Sequence, residues 1–136
     1  MESSNYKKLN VWQKANELAP TLYESTQKVL KKDRYLADRL VDACIALSSK
    51  VALAGDLWSI EKKITYLESA NEDIYNAISL LNLMQRMGYY QEDAVQELEN
   101  QLVEISHALL SWIKNCNRKL NDNPPAEQPV TEECTS

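Results

Sequence analysis

Glycine is scarce in this chain, with two among 136 residues, and phenylalanine is missing altogether. Gly55 and Gly88 alone cannot build a glycine-rich phosphate loop. The shortage of turn residues and β-branched runs argues equally against a sheet fold. A single histidine, His107, leaves any Ser/His/Asp or Cys/His set with only one imidazole to build on. Three cysteines, Cys44, Cys116 and Cys134, form an odd set without paired spacing. The first two fall on apolar helix stripes, where a free thiol acts as a small hydrophobe, and a reducing cytoplasm is the expected compartment. No apolar run approaches the length of a membrane span, and the polar start has no hydrophobic signal region, so no membrane partner is expected.

Net positive charge is lacking too. The formal charge is −5, and residues 121–136 hold Asp122, Glu127, Glu132 and Glu133 with no lysine or arginine. The first 120 residues therefore carry 15 basic against 16 acidic side chains, close to neutrality. A uniformly basic nucleic-acid binder is excluded by that balance.

What the chain does have is helical periodicity. From Asp93 to Lys119 the apolar residues Val95, Leu98, Leu102, Ile105, Leu109, Trp112 and Cys116 alternate gaps of three and four, the spacing of a heptad seam. A first helix is expected from Tyr6 to Lys32, with Leu9, Trp12, Ala15, Ala19, Leu22, Thr26 and Val29 inward and a kink near Pro20. A second spans Tyr35 to Ala54 through Leu36, Leu40, Ala43, Leu47 and Val51, with Gly55-Asp56 as break and N-cap. A third runs from Leu57 to Met87 through Ile60, Ile64, Leu67, Ile74, Ile78 and Leu81, and carries Asn71 as a register-setting polar group on the seam. The last stretch, NDNPPAEQPVTEECTS, reads as a disordered acidic tail, so the domain expectation is a bundle over 1–120 and a tail over 121–136. Trp12, Leu102, Leu109 and Trp112 are the expected core anchors.

Short connections make neighbouring helices antiparallel, giving an all-α, up-down-up-down four-helix bundle. That topology collects Lys7, Lys8, Lys14, Lys50, Lys62, Lys63, Lys114, Arg118 and Lys119 at one end. This basic end is the candidate surface for nucleic acid or a protein partner, and the acidic tail leaves from it. The other end mixes Lys28, Lys31, Lys32, Arg34, Arg39 and Arg86 with Asp33, Glu92, Asp93, Glu97 and Glu99. Apolar residues beyond one seam (Tyr66, Tyr75, Leu80, Leu83 and Met84, with Leu53, Trp58, Leu110 and Ile113) point to a second contact face and self-association.

Glu104-x-x-His107 has the form of a di-iron bundle element, but such sites need two of them plus two further glutamates. No metal, no cofactor and no catalysis by this chain alone are therefore expected.

Two sets of segments resemble known families. Tyr6-Lys7-Lys8-Leu9-Asn10-Val11-Trp12-Gln13-Lys14-Ala15 and Gly88-Tyr89 are similar to the four-helix bundle proteins encoded in 23S ribosomal RNA intervening sequences. Arg34-Tyr35-Leu36-Ala37-Asp38-Arg39-Leu40, Leu67-Glu68-Ser69-Ala70-Asn71, Ser111-Trp112-Ile113-Lys114 and Asn117-Arg118-Lys119 resemble the accessory variability determinant of diversity-generating retroelements, a relative of the same fold. The second resemblance implies a homopentameric barrel that binds the element's reverse transcriptase and supports template-RNA-primed, mutagenic cDNA synthesis. The first implies the same architecture with an obscure role, and a generic helical adaptor is the remaining alternative. Two departures stand out. Helix-three arginines of the retroelement group fall on Ile78 and Asn82, and the helix-two pattern of the intervening-sequence group reads Asp42 and Lys50-Val51-Ala52-Leu53-Ala54.

Overall fold

The computed structural model describes residues 5–27 and 32–122. A 3-10 turn, Asn5–Lys8, precedes four α-helices: α1 Asn10–Gln27, α2 Arg34–Asp56, α3 Ile60–Arg86 and α4 Glu92–Asp122. No strand occurs among the described residues. α1 packs on α2 and α4, α2 on α3, and α3 on α4, which closes a four-helix bundle. Side-chain contacts tie α2 to α3, α3 to α4 and α1 to α4. Ala54 O accepts from Lys63 Nζ, Lys50 meets Asp73, and Asp33 meets the Tyr89 hydroxyl. Along α3 and α4 the pairs are Asn71 with Ser106 and Asn82 with Glu99, and along α1 and α4 they are Lys14 with Glu104.

Each helix boundary has a local cause. Asp33 caps α2 by accepting from the Leu36 amide at 3.0 Å, and Ser59 caps α3 by accepting from Lys62 at 3.3 Å. α3 ends in a Schellman turn, with Tyr89 N–H on Met84 O and Gly88 N–H on Gln85 O. Gly88 takes φ +83° there, the left-handed region that only glycine enters cheaply.

Several sequence expectations shift. The chain's first helical residues form a separate 3-10 turn instead of opening α1, because Tyr6 and Leu9 sit down on Gly55. A Cβ there would lie 2.9 Å from Tyr6 Cβ and 2.8 Å from Leu9 Cδ1. Gly55-Asp56 is accordingly no break. α2 runs through both, and the connection is Leu57–Ser59, with Ser59 as the cap. α1 continues past Pro20 to Gln27. α4 extends beyond the expected body-tail boundary to Asp122. The remaining tail 123–136, Cys134, Val29, Lys28 and Lys31 lie outside the described residues.

The core is aliphatic, and fully burying each such side chain contributes roughly 1.5–3 kcal/mol. Leu102 and Leu109 are wholly buried at its centre, as expected. Trp12 and Trp112 are not: both are half-buried, packed against the margin of the core. On α4 the seam runs Val95, Leu98, Leu102, Ile105, Leu109, then Ile113 and Cys116. A straight helix drifts about 20° per heptad against a 3.5 repeat, and the extra gap of four after Leu109 turns Ile113 inward and Trp112 aside. On α1, Val11 and Leu18 take the inward positions. Trp12 instead meets Tyr6 edge to face, with ring centroids 5.1 Å apart. Of the expected surplus, Met84 and Ile113 are buried, and Tyr66 and Leu80 are half-buried against the core. Tyr75, Leu83, Leu53, Trp58 and Leu110 remain exposed, joined by Tyr23, Tyr35, Ile45 and Met87.

Candidate nucleic-acid interface

Three contacts bring the termini of different helices to one end. Lys63, one turn into α3, donates to Ala54 O near the end of α2 at 2.8 Å. Its ammonium lies 6.0 Å from the Trp112 ring centroid on α4. Tyr6 and Leu9 of the entering chain rest on Gly55. The start of the chain, the α2–α3 connection and the last turns of α4 therefore share this end. Lys7, Lys8, Lys114, Arg118 and Lys119 are all exposed on it. Asp56, Glu61 and Asp122 are the acidic residues of the same helix ends.

The other four expected cations are engaged within the fold. Lys14 pairs with Glu104 at 2.9 Å, tying α1 to α4. Lys50 Nζ stands 2.8 Å from Asp73 Oδ2, an ion pair out of hydrogen-bond alignment on a carboxylate that is almost fully buried. Both pairs lie further into the bundle than the terminal cluster. Lys62 is half-buried and donates its backbone N–H to the Ser59 cap. Lys63 is half-buried between α2 and α4. Burial lowers its ammonium pKa below the usual lysine value, and Lys119 pushes the same way, while Cys116 and Asp56 oppose. Cys116 offers little compensating charge, because burial raises its own thiol pKa. Nine expected residues thus resolve into an exposed set of five and an inner set that braces the helices.

Two further residues of the sequence reading find structural work. Asn71 is half-buried and accepts from Ser106 Oγ at 2.6 Å, a polar tie between α3 and α4. His107 is exposed, and Glu104 is occupied by Lys14. No group of three or more His, Cys, Asp or Glu side chains is placed to hold a metal among the described residues. Cys44 is a buried free thiol whose pKa burial pushes up to about 12, far from the thiolate a nucleophile needs. No described helix is long and apolar enough to cross a membrane.

The sequence understated Trp58. It counted only as one apolar residue in a surplus, yet it is 91% exposed on the α2–α3 connection. A groove of about 500 Å³ opens on the same connection, lined by Leu53, Leu57, Ser59, Glu61, Lys62, Thr65 and Tyr66, with Trp58 itself outside the lining. Its signal in the sequence was position: a tryptophan three residues past a glycine and one before a Ser cap belongs to a connection, where no seam can hide it.

No curated protein matches the sequence. Residues 7–111 match a protein family described as 23S rRNA-intervening sequence protein. The match begins in the 3-10 turn, takes in all of α1, α2 and α3, and ends well inside α4. It spans the packed core just described, and on that extent the chain belongs to the 23S rRNA-intervening sequence protein family.

Proposed function

We propose that this protein is a non-catalytic accessory subunit, an antiparallel up-down-up-down protomer that assembles into a homopentameric ring. In this reading it binds a retroelement reverse transcriptase in the cytoplasm and draws template RNA to its basic end. The observation that carries the reading is the grouping of Lys7, Lys8, Lys114, Arg118 and Lys119, exposed together at one end of the bundle. Opposing residue order at the Lys14–Glu104, Lys50–Asp73 and Asn71–Ser106 contacts supports the antiparallel arrangement. Exposed Tyr23, Ile45, Tyr75 and Leu83 leave apolar surface for further copies. A ring would set five basic ends side by side, producing a positive rim from bodies that are nearly neutral one by one. The segments resembling the retroelement accessory protein, above all Ser111 to Lys119, support the choice of partner.

The family match supports a second reading, an intervening-sequence-type bundle of the same architecture whose role is obscure. Co-expression with the reverse transcriptase of its own genomic neighbourhood separates the two. Stable co-purification supports the accessory role. Its failure, with RNA binding intact, transfers the conclusion to the second reading. The basic end is tested by RNA affinity of the full chain, of a truncation after Asp122, and of Lys114, Arg118 and Lys119 changed to alanine. Phosphate contacts release counterions, so affinity should fall steeply with salt, weaken in the alanine variant and rise in the truncation, which loses acidic residues. Equal affinities in all three proteins would remove the basic end from the proposal.

A further inference from the structure

The exposed cations at the basic end have no counterpart in the folded body. Lys7, Lys8, Lys114, Arg118 and Lys119 stand in water, and none of the five takes part in an ion pair among the described residues. Lys14 and Lys50, further into the bundle, are both paired. Asp56, Glu61 and Asp122 are the acidic residues of the same helix ends, so the exposed cations alone outnumber them. A surface charged in this way attracts the nearest acidic chain of sufficient reach.

The protein's own sequence supplies such a chain at that place. α4 ends at Asp122, and residues 123–136 then carry Glu127, Glu132 and Glu133 with no lysine or arginine. Pro124 and Pro125 lack the amide that a further helical turn needs, which is why α4 stops short of them. Reach is sufficient. A chain spans at most about 3.3–3.6 Å per residue, so Glu127, five residues past Asp122, commands about 17 Å. At a helical rise of about 1.5 Å per residue, Lys119, Arg118 and Lys114 lie only about 5, 6 and 12 Å back along α4. Glu132 and Glu133 command about 35 Å, well beyond the roughly 8–10 Å between packed helix axes, and Lys7 and Lys8 stand just ahead of α1, which packs on α4. Tethering selects this occupant over a free anion, because a short tether holds its charges at an effective concentration of about millimolar. Exposed ion pairs are weak one at a time, so the contact yields to salt and to a stronger polyanion. We infer that the tail is an electrostatic cover for the basic end: Glu127 pairs with the Lys114–Arg118–Lys119 cluster of its own chain, Glu132 and Glu133 extend the contact to Lys7 and Lys8, and nucleic acid must displace them to bind. The competition with nucleic acid rests on the reading above, whereas the contact between tail and cluster does not.

The contact is read without RNA by carbodiimide coupling of the full chain, which condenses a carboxylate with a lysine amine held against it. At low salt, peptide mapping should find Glu127, Glu132 or Glu133 joined to Lys114, Lys119, Lys7 or Lys8, and raised salt should remove these links. A mixture with nitrogen-15-labelled protein separates links within a chain from links between chains. The triple variant Glu127→Gln, Glu132→Gln and Glu133→Gln should acetylate faster at Lys114 and Lys119 while its thermal melt stays that of wild type. It should also bind a fluorescein-labelled oligouridylate roughly three- to tenfold more tightly at low salt, the scale of a few exposed ion pairs, and equally at raised salt. No tail link at low salt, or equal acetylation of the two proteins, overturns the inference. Links that form only between chains overturn it as well, since the cover would then belong to a neighbour. Tighter RNA binding with unchanged acetylation reduces the tail to long-range repulsion and also overturns the contact. If the links form but neither protein binds RNA, the cover stands and the basic end as a nucleic-acid site falls.

Discussion

Gly55 shows how one residue can set the start of the chain. In a helix interior, alanine for glycine is ordinarily worth about 1 kcal/mol of added stability. Here the new methyl would meet Tyr6 Cβ at 2.9 Å and Tyr6 Cα at 3.2 Å, and backbone cannot swing aside as a leucine tip can. Overpacking of this kind typically costs about 1–3 kcal/mol, so Gly55→Ala should lose about 1 kcal/mol instead of gaining it. Shifting the 3-10 turn also parts Tyr6 from Trp12, and tryptophan emission should change with it. Denaturant unfolding that finds the variant stabilised would refute this packing. None of it was legible in the sequence, where Gly55 looks like punctuation. Its role depends on a contact with Tyr6, 49 positions earlier in the chain, and local propensity carries no information about that partner.

At the scale of helices, local rules performed better, and their failures share one cause. The inward residues of α2 were readable almost throughout, with Leu36, Leu40, Leu47, Val51 and Ala54 buried as their spacing demands. Heptad counting went wrong late in α4, where accumulated drift puts Ile113 inward in place of Trp112, and early in α1, where the Tyr6–Trp12 pair hands the core to Val11. Polar ties between helices were invisible to periodicity. Asp73 falls off the expected seam yet is buried beside Lys50, which joins the middle of α3 to α2. Removing the cation alone strands a nearly buried carboxylate, so Lys50→Met should cost about 2–3 kcal/mol. That lies below the 3–5 kcal/mol typical of fully buried pairs, because Lys50 retains some solvent. Replacing both members, Lys50→Met with Asp73→Leu, should recover most of the loss. A double variant as unstable as the single one would mean that the pair does more than satisfy its own charges.

For the whole molecule, the decisive feature is where apolar side chains stay in water. Tyr23 and Ile45 border a groove of about 350 Å³ between α1 and α2 that also includes Pro20 and Val41. Tyr75 and Leu83 lie exposed on α3, a different part of the surface. Two unlike faces suit a head-to-tail contact, which closes into a ring when the rotation per copy allows, whereas a two-fold dimer uses a single face twice. The proposed ring therefore predicts that Ile45→Glu and Leu83→Glu each disrupt assembly, since either charge spoils one half of every contact. Mixing the two variants is the sharper measurement. Each keeps the face that the other has lost, so the mixture should form heterodimers and stop there, unable to propagate at either outer face. Light scattering on the separate proteins and on their mixture reads this directly. A wild-type mass equal to the monomer, or variants that assemble as wild type does, would place the exposed side chains outside any ring. If one variant keeps the wild-type mass while the other is monomeric, the contact uses one face twice, and the pentamer gives way to a dimer.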